Sequence, residues 1–386
     1  MRAIELFAGA GGLGMGISKA GFKPLEIVER DKWCCDTINR NRWGRKPLVK
    51  AWPEPIQSDI RDLDFEQFEG RVDLVSGGPP CQPFSLGGKH RAHADDRDMW
   101  SEAVRVLREV KPRAFIFENV KGLTRASFAT YFSYINLQLH YPDIERPEGE
   151  AWADHLARLE QHHTSGSESG LHYRVVTQVL NAADYGVPQK RERVVFVGFR
   201  ADTGIRWSFP EKTHFLDALL WEQCRSGEYW DRHHVPTARR NLDHRFRTRG
   251  MKLREKPTGA AWQTVRDAIQ GLPEPDDFVG HKIFNHRYQP GARSYKGHTG
   301  SPMDEPAKTL KAGVHGVPGG ENMLLRPDGT VRYFSVRESA RLQAFPDEYE
   351  LHGSWSEAMR QLGNAVPVEL ARVIASDVAE QLRKAA

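Results

Sequence analysis

Ala3-Ile4-Glu5-Leu6-Phe7-Ala8-Gly9-Ala10-Gly11-Gly12-Leu13-Gly14 stands near the head of a 386-residue chain and decides how the rest is read. Ala3–Phe7 predicts a strand that runs straight into a glycine turn. Glycines at the carboxyl end of a first strand let a ligand approach the backbone, and the helix that follows begins with free N–H groups. Gly9, Gly11 and Gly14 satisfy the GxGxxG spacing, and Glu29 closes a second predicted strand, Leu25–Glu29, where it can accept hydrogen bonds from ribose hydroxyls. Position alone does not separate NAD from S-adenosylmethionine here, and a tight turn without ligand is the plain alternative.

Outward from this turn, short apolar runs recur at Val72–Gly77, Ala114–Glu118, Tyr173–Leu180 and Val194–Phe199. Nearly continuous apolar strands are expected where helices cover both faces of a parallel sheet, and amphipathic stretches such as Trp100–Val110 lie between them. The pattern predicts a doubly wound, Rossmann-like α/β domain built from residues 1–200 and 331–386. Residues 121–172 interrupt it with an inserted helical segment, followed by a mobile loop around Gln161–Gly170. From 201 to 330, Pro, Gly, Arg and His become frequent, predicting a smaller, irregular, β-containing domain. The tail returns to helix at Val336–Phe345 and Ala365–Leu382.

Hydrophobic residues make up 39% and charged residues 27%, an ordinary soluble composition. The first strand follows Met1 so closely that no secretory signal is expected, nor is any membrane span, so the expected compartment is the cytoplasm. Of four cysteines, Cys34 and Cys35 are adjacent, which is neither a disulfide framework nor a zinc site. The pairs His162-His163 and His233-His234 lack partner ligands at metal-binding spacing, so no metal is expected. The net charge is only +4, but Arg232–Lys256 carries nine Lys/Arg against Asp243 and Glu255, leaving the rest of the chain at −3. A run like this, flanked by Trp230 and Trp262, is either a solvated face or a surface for a polyanion.

The chemistry sits where strands end. Val72–Gly77 leads to Gly78-Pro79-Pro80-Cys81-Gln82-Pro83-Phe84-Ser85, a stiff turn that presents a cysteine as a candidate nucleophile rather than as core packing. Phe115-Ile116-Phe117 leads to Glu118-Asn119-Val120, and a carboxylate directly after an apolar strand needs a reason to be there. Gln189-Lys190-Arg191-Glu192-Arg193 precedes the last strand. Together these supply a thiolate, an acid and guanidinium groups at one rim of one sheet. Asp59-Ile60, after an apparent third strand, presents a carboxylate to an adenine amino group or simply caps the following turn.

The series resembles the motifs of DNA (cytosine-5) methyltransferases of type II restriction-modification systems. In family order it runs Phe7-Ala8-Gly9-Ala10-Gly11-Gly12, Pro79-Pro80-Cys81-Gln82, Glu118-Asn119-Val120, Gln189-x-Arg191-x-Arg193, Arg337-Glu338-x-x-Arg341-Leu342-Gln343-x-Phe345-Pro346-Asp347 and Gly363-Asn364-Ala365-Val366-Pro367. The resemblance implies Cys81, Glu118, Arg191 and Arg193 as catalytic residues. It implies an S-adenosylmethionine cradle from Phe7, Ala8, Gly9, Gly11, Gly12, Glu29, Asp59, Ile60 and Asn364, with S-adenosylhomocysteine as product. Arg30 replaces the aromatic residue usual after the ribose-binding acid. The resemblance further implies that residues 201–330 read double-stranded DNA, with contacts from Arg239, Arg240, Arg245, Arg247 and Thr309, the last in a Pro306-Ala307-Lys308-Thr309-Leu310 element. Ser85, Lys89 and Arg91 would belong to a loop closing over the duplex. Gly297–Asn322 resembles enzymes that modify GGNCC- or GGWCC-type sites. A monomer is expected, with a cognate endonuclease acting separately.

Three rivals stand beside this reading. A tRNA-directed relative would be compact where this chain has a long basic region. A silent DNA-binding regulator has no use for Cys81, Glu118 and Arg193, and an NAD oxidoreductase has none for the later motifs.

Overall fold

The computed structural model describes residues 1–80, 99–166, 170–296, 299–312 and 322–385. The apolar runs form β1 (Arg2–Leu6), β2 (Lys23–Glu29), β3 (Ile56–Gln57), β4 (Leu74–Gly77), β5 (Ala114–Val120), β6 (Tyr173–Asn181) and β7 (Glu192–Arg200). They join in a seven-stranded sheet of order β3-β2-β1-β4-β5-β7-β6. Between them lie α1 (Gly12–Lys19), α2 (Lys32–Trp43), α3 (Trp100–Val110), α4 (Ala129–His140) and α5 (Trp152–Ser165). The fold is α/β and Rossmann-like, with a mixed sheet.

The sheet is parallel except at one end. β1 to β5 run parallel to one another, whereas β7 runs antiparallel to both β5 and β6. Only residues 182–191 separate β6 from β7, too few for a crossover helix, so the chain turns back on itself. The reversal has a functional consequence. In a parallel sheet the residues preceding a strand lie on the opposite rim from those following one. Because β7 is reversed, its first residues arrive at the rim where β1, β4 and β5 end, and Val120 pairs with Arg193.

Alternation along β5 divides the core. Phe115 and Phe117 pack with Trp100, Val104 and Leu107 of α3, Tyr134 of α4 and Leu156 of α5. Ala114 and Ile116 face Leu13 and Ile17 of α1 and the last helix of the chain. The buried face of α3 repeats at Trp100, Ala103, Val104, Leu107 and Val110, the spacing of one helical stripe. Gly198 of β7 must lack a Cβ, since one there would fall 2.2 Å from the Phe115 ring.

The insertion is helical as expected, but Gln161–Ser165 is not loop. α5 continues to Ser165 because His155, Leu156 and Leu159 hold its inner face while Gln161–Ser165 stay on the outside, and it stops at Gly166 with φ +69. Residues 201–330 contain more helix than the β-containing domain expected. α6 (Leu216–Trp221), α7 (Glu228–Arg232), α8 (His244–Met251) and α9 (Val265–Ile269) accompany short strands, β8 (His214–Phe215) with β9 (Ala260–Ala261), and β10 (Ser301–Pro302), β11 (Met323–Leu325) and β12 (Val331–Tyr333). Adjacent apolar pairs such as Leu219-Leu220 and Tyr229-Trp230 are buried together, which a strand with one wet face does not allow.

In the tail, α10 (Val336–Leu342) stops short of Phe345 where Ala344 turns to φ +57. α11 (Trp355–Asn364) was not expected, although Ser354 caps it by accepting from the Glu357 N–H, a signal readable in the sequence. α12 (Val368–Lys384) begins later than Ala365, because Ala365 is extended and Pro367 occupies the cap.

Candidate active site

The glycine turn leaves β1 through three residues with left-handed backbone: Phe7 (φ +53), Gly9 (φ +54) and Gly11 (φ +80). For Phe7 that conformation is strained, and strain of this kind is kept where surroundings enforce it. The turn is clamped from two sides. The Gly9 N–H donates to Oε2 of Glu29 at 2.7 Å, and the Asp31 N–H to Oε1 at 2.7 Å. Opposite, a Cβ on Gly12 would fall 2.4 Å from the Val366 carbonyl oxygen, so the Gly363–Pro367 segment lies directly on the turn. A Cβ on Gly9 would meet nothing within 4 Å, so that face is open. Burial raises the Glu29 carboxyl above its ordinary range, against the pull of the N–H groups it accepts.

Ile60 is buried in the cluster against which Phe7 packs, while Asn364 is exposed. Asp59 realises the capping alternative: Oδ1 accepts the Arg61 N–H at 3.1 Å, starting a short turn at Ile60–Asp62. Its carboxylate is also paired with Arg61 at 2.7 Å and Arg30 at 3.3 Å. The bonds to Arg61 hold its pKa down to about 2. Arg30, which stands in the aromatic position, therefore turns towards Asp59.

At the centre of the rim, Glu118 and Arg193 face each other across the β5–β7 pair. Both are nearly buried, and Arg193 Nε lies 2.7 Å from Glu118 Oε1. The contact is short but the N–H is off line, so Oε1 is left with no aligned donor among the described residues. Burial raises the Glu118 carboxyl above its usual range even though Arg193 and Arg191 pull the other way, and burial lowers Arg193. The glycine-proline turn after β4 is laid across this acid. Asn119 Nδ2 donates to the Pro79 carbonyl at 2.9 Å, and a Cβ on Gly78 would sit 3.5 Å from Glu118 Oε2. Cys81, Ser85, Lys89 and Arg91 lie outside the described residues.

Arg191, two residues from Arg193, is bonded to main-chain carbonyls rather than to Glu118. It is wholly buried; Nη1 donates to the Leu310 carbonyl at 3.0 Å, and Nη2 to those of Gly363 and Ala365 at 2.7 and 2.9 Å. It joins the strand end, the 306–310 element and the segment beneath the glycine turn. Gln189, to which sequence reasoning gave no role, completes the joint: its Oε1 accepts the Leu310 N–H at 3.0 Å and its Nε2 donates to Leu342 O at 3.1 Å. Asn119 was likewise missed. Both stood inside quoted motifs, and their burial beside main-chain partners is what reveals them.

The residues expected to contact DNA differ in their partners within the chain. Thr309 spends its hydroxyl on the Lys190 carbonyl at 2.7 Å, pinning the 306–310 element to the strand rather than reaching outward. In the basic run, Arg240 pairs with Asp231, Arg245 with Asp243, Arg249 with Asp217, Lys256 with Glu228, and Arg232 with Glu222 and Asp267. Most of these acids lie outside the run, so its excess of charge shrinks once the chain is folded. Arg239 and Arg247 are exposed with no ion pair among the described residues. Among the described residues no His/Cys/Asp/Glu group is arranged to hold a metal, and no helix is long and apolar enough to cross a membrane.

The family model for C-5 cytosine-specific DNA methylases matches residues 1–141 and 154–380, omitting part of the α4–α5 insertion. The type II methyltransferase M.PspPI of Psychrobacter sp. (strain TA137) is 31% identical over 385 residues, covering 99% of this chain and 80% of that protein. M.Sau96I of Staphylococcus aureus is 32% identical over 383 residues, covering 99% and 76%. Among solved structures, the Dnmt2 methyltransferase of S. pombe superposes with a TM-score of 0.56 at 17% identity, covering 100% of this chain and 99% of that one. At that identity it speaks for the fold.

Proposed function

The chain belongs to the C-5 cytosine-specific DNA methylase family, and from that premise we propose that it methylates carbon 5 of a cytosine flipped out of one specific double-stranded sequence, using S-adenosylmethionine. It is a DNA (cytosine-5) methyltransferase of the type II restriction-modification kind. The observation that carries the mechanistic reading is the buried Glu118–Arg193 pair with its unaligned oxygen, beside a turn held by Asn119 immediately before Cys81.

Carbon 5 of cytosine is a poor nucleophile. The Cys81 thiolate adds to carbon 6, and the electron pair displaced from the 5,6 double bond makes carbon 5 an enamine carbon. Glu118 shares its proton with ring N3, draining charge from the ring; a carboxyl raised by burial is suited to hold that proton. Arg193 holds the base O2. After carbon 5 is methylated its proton leaves, and the thiolate is eliminated from carbon 6 as the double bond re-forms. Extruding the base costs a few kcal/mol of unpairing and unstacking.

The residues around the glycine turn fit the cofactor. The open face at Gly9 lets a ligand approach the backbone, and each Glu29 oxygen keeps a lone pair for a ribose hydroxyl beyond the N–H it already accepts. Phe7, Ala8, Gly11, Gly12, Asp59, Ile60 and Asn364 complete the cradle. When bound, the cofactor supplies an electrophilic methyl on a sulfonium.

Residues 1–200 and 331–386 form the catalytic domain in this reading, and 201–330 the recognition domain. The protein acts as a monomer in the cytoplasm, at the nucleoid, with a separate endonuclease cutting the same site. The target is of the GGNCC or GGWCC type, supported by the resemblance of Gly297–Asn322. Incubating unmethylated duplex DNA with the protein and S-adenosylmethionine, followed by bisulfite sequencing, tests the reading. Protected cytosines are expected at one recurring sequence, whereas protection scattered without a sequence refutes the specificity.

A further inference from the structure

Of the six exposed aromatic side chains among the described residues, four fall in one segment, while Trp33 and Trp43 lie elsewhere. Phe278, Phe284, Tyr288 and Tyr295 are 77%, 51%, 46% and 54% exposed, and they share a short segment with Lys282, Arg287, Arg293 and Lys296. From Phe278 to Lys296 there is no Asp or Glu. Arg287, Arg293 and Lys296 are exposed and have no ion pair among the described residues. Lys282 Nζ stands 4.7 Å from the centre of the Phe278 ring. This is the reverse of 232–256, where the cations outnumber the acids but are largely spent on them.

The segment is built rather than loose. At its middle, Asn285 takes a left-handed backbone (φ +64) that a non-glycine residue holds only when its surroundings insist. Its Nδ2 donates to Leu351 O at 3.0 Å, its Oδ1 accepts the Leu351 N–H at 2.8 Å, and its carbonyl accepts the Arg337 N–H at 2.8 Å. His286 is wholly buried, with Nδ1 2.8 Å from Ser335 Oγ and Nε2 2.7 Å from Pro273 O. Two anchored residues thus hold Phe284 on one side and Arg287 and Tyr288 on the other out in solvent. Downstream, Lys308 donates to Thr299 at 3.1 Å and Thr309 to the Lys190 carbonyl at 2.7 Å. The segment therefore leads, through one short element, to the rim that carries Arg193.

We infer that Phe278–Lys296 is a principal contact surface for the duplex, resting on the DNA-modifying role proposed above. Arg287, Arg293 and Lys296 neutralise phosphates, while Phe284 and Tyr288 lie against sugars and base edges. Charge complementarity selects the occupant: an acid-free, cationic stretch with interleaved aromatics suits a polyanion whose sugars and groove edges also offer apolar contact. A second copy of this chain, with a net charge of only +4, offers no matching polyanion.

The test compares three variants by fluorescence anisotropy on a labelled, unmethylated duplex over a salt series, together with steady-state methylation. Arg287→Ala/Arg293→Ala/Lys296→Ala is expected to lower the slope of log K against log salt by roughly three, at about 0.9 per phosphate contact released. Its KM for DNA should rise at least ~10-fold while kcat at saturating DNA is retained, a split expected when binding is lost equally from ground and transition states. Phe284→Ala/Tyr288→Ala should weaken binding on the order of tenfold without changing the slope, as loss of uncharged apolar contact does. Arg245→Ala/Arg249→Ala should change binding far less. An unchanged slope and KM in the triple variant, with a wild-type thermal melt, overturns the inference. So does an equal loss in the Arg245/Arg249 variant, or an effect on sedimentation mass alone, which would identify a second copy as the occupant. Binding is read independently of turnover. A wild-type chain that binds through this segment yet methylates nothing would count against the proposed function instead.

Discussion

The carboxyl rim of the sheet and the 232–256 run are both rich in arginine, and the same guanidinium does opposite things in them. At the rim, Arg191 and Arg193 are buried, and apart from an Arg193 bond to the neighbouring Glu192 carbonyl their contacts join elements distant in sequence: β5, the 306–310 element and the end of α11. In the run, Arg245 and Arg249 are largely solvent-exposed and pair with nearby acids. Desolvated charges must be partnered in detail, so each position is specified, whereas exposed pairs are screened and exchange partners at little cost. Residues that do chemistry are therefore recognisable one by one, and residues that merely supply charge are not.

The sharpest way to break this contrast is at Cys81, the proposed nucleophile. Cys81→Ser should abolish methyl transfer while leaving DNA binding and the thermal melt close to wild type; retained turnover in a filter-binding assay with labelled cofactor would remove the covalent step. Next is Arg191→Met, which strands three buried carbonyls. At roughly 1–3 kcal/mol for each unsatisfied group, a loss of ~3 kcal/mol or more is expected in a urea melt, in contrast to a silent Arg245→Ala. Glu118→Gln should lower kcat by roughly 10²–10⁴, the usual worth of a positioned acid, with little effect on the Kd for DNA. Its pH profile carries the sign: Glu118 works protonated and burial raises its pKa, so the wild-type rate should fall as pH rises through that value, and the Gln variant should lose this limb.

A buried acid outside the site sharpens the same point. Glu5 is fully enclosed, accepts the Gly14 N–H at 2.8 Å, and leaves Oε2 without a partner among the described residues. Burial pushes its pKa from 4.5 to about 8. With the folded value above the unfolded one, its contribution to stability is complete below pH 4.5 and is lost as pH rises through about 8. The melting temperature should decline across that window, and Glu5→Gln, which can still accept from Gly14, should flatten the decline. The smallest effect belongs to Arg249→Ala, below ~1 kcal/mol because the pair it breaks with Asp217 is exposed.

Much of the catalytic half was legible because strand ends announce themselves: apolar runs closing in Gly-Pro-Pro, Glu-Asn-Val or a glycine turn leave few places for their polar residues. The reversal of β7 was less legible, since an antiparallel central strand is as apolar as a parallel one, and only the short 182–191 connection gave it away. Arg191 and Arg193 could not be told apart by spacing. Arg191 lies just before β7 and Arg193 within it, so one guanidinium folds back onto carbonyls and the other meets Glu118. The recognition half was least legible. Net charge along the sequence counts cations but not the acids that folding brings to them, so 232–256 stood out and 278–296, with fewer cations and no acids, did not.

The central claim is that this rim performs covalent chemistry on cytosine, and a suicide substrate addresses it most directly. Duplex DNA in which the target cytosine is replaced by 5-fluorocytosine is incubated with the wild-type chain and S-adenosylmethionine, then run on a denaturing gel. Fluorine cannot leave carbon 5 as a proton does, so the Cys81 adduct should persist as a methylated, denaturation-resistant protein–DNA band that is absent from Cys81→Ser. Normal methylation of the unfluorinated duplex, with no such band from the fluorinated one, would contradict the account.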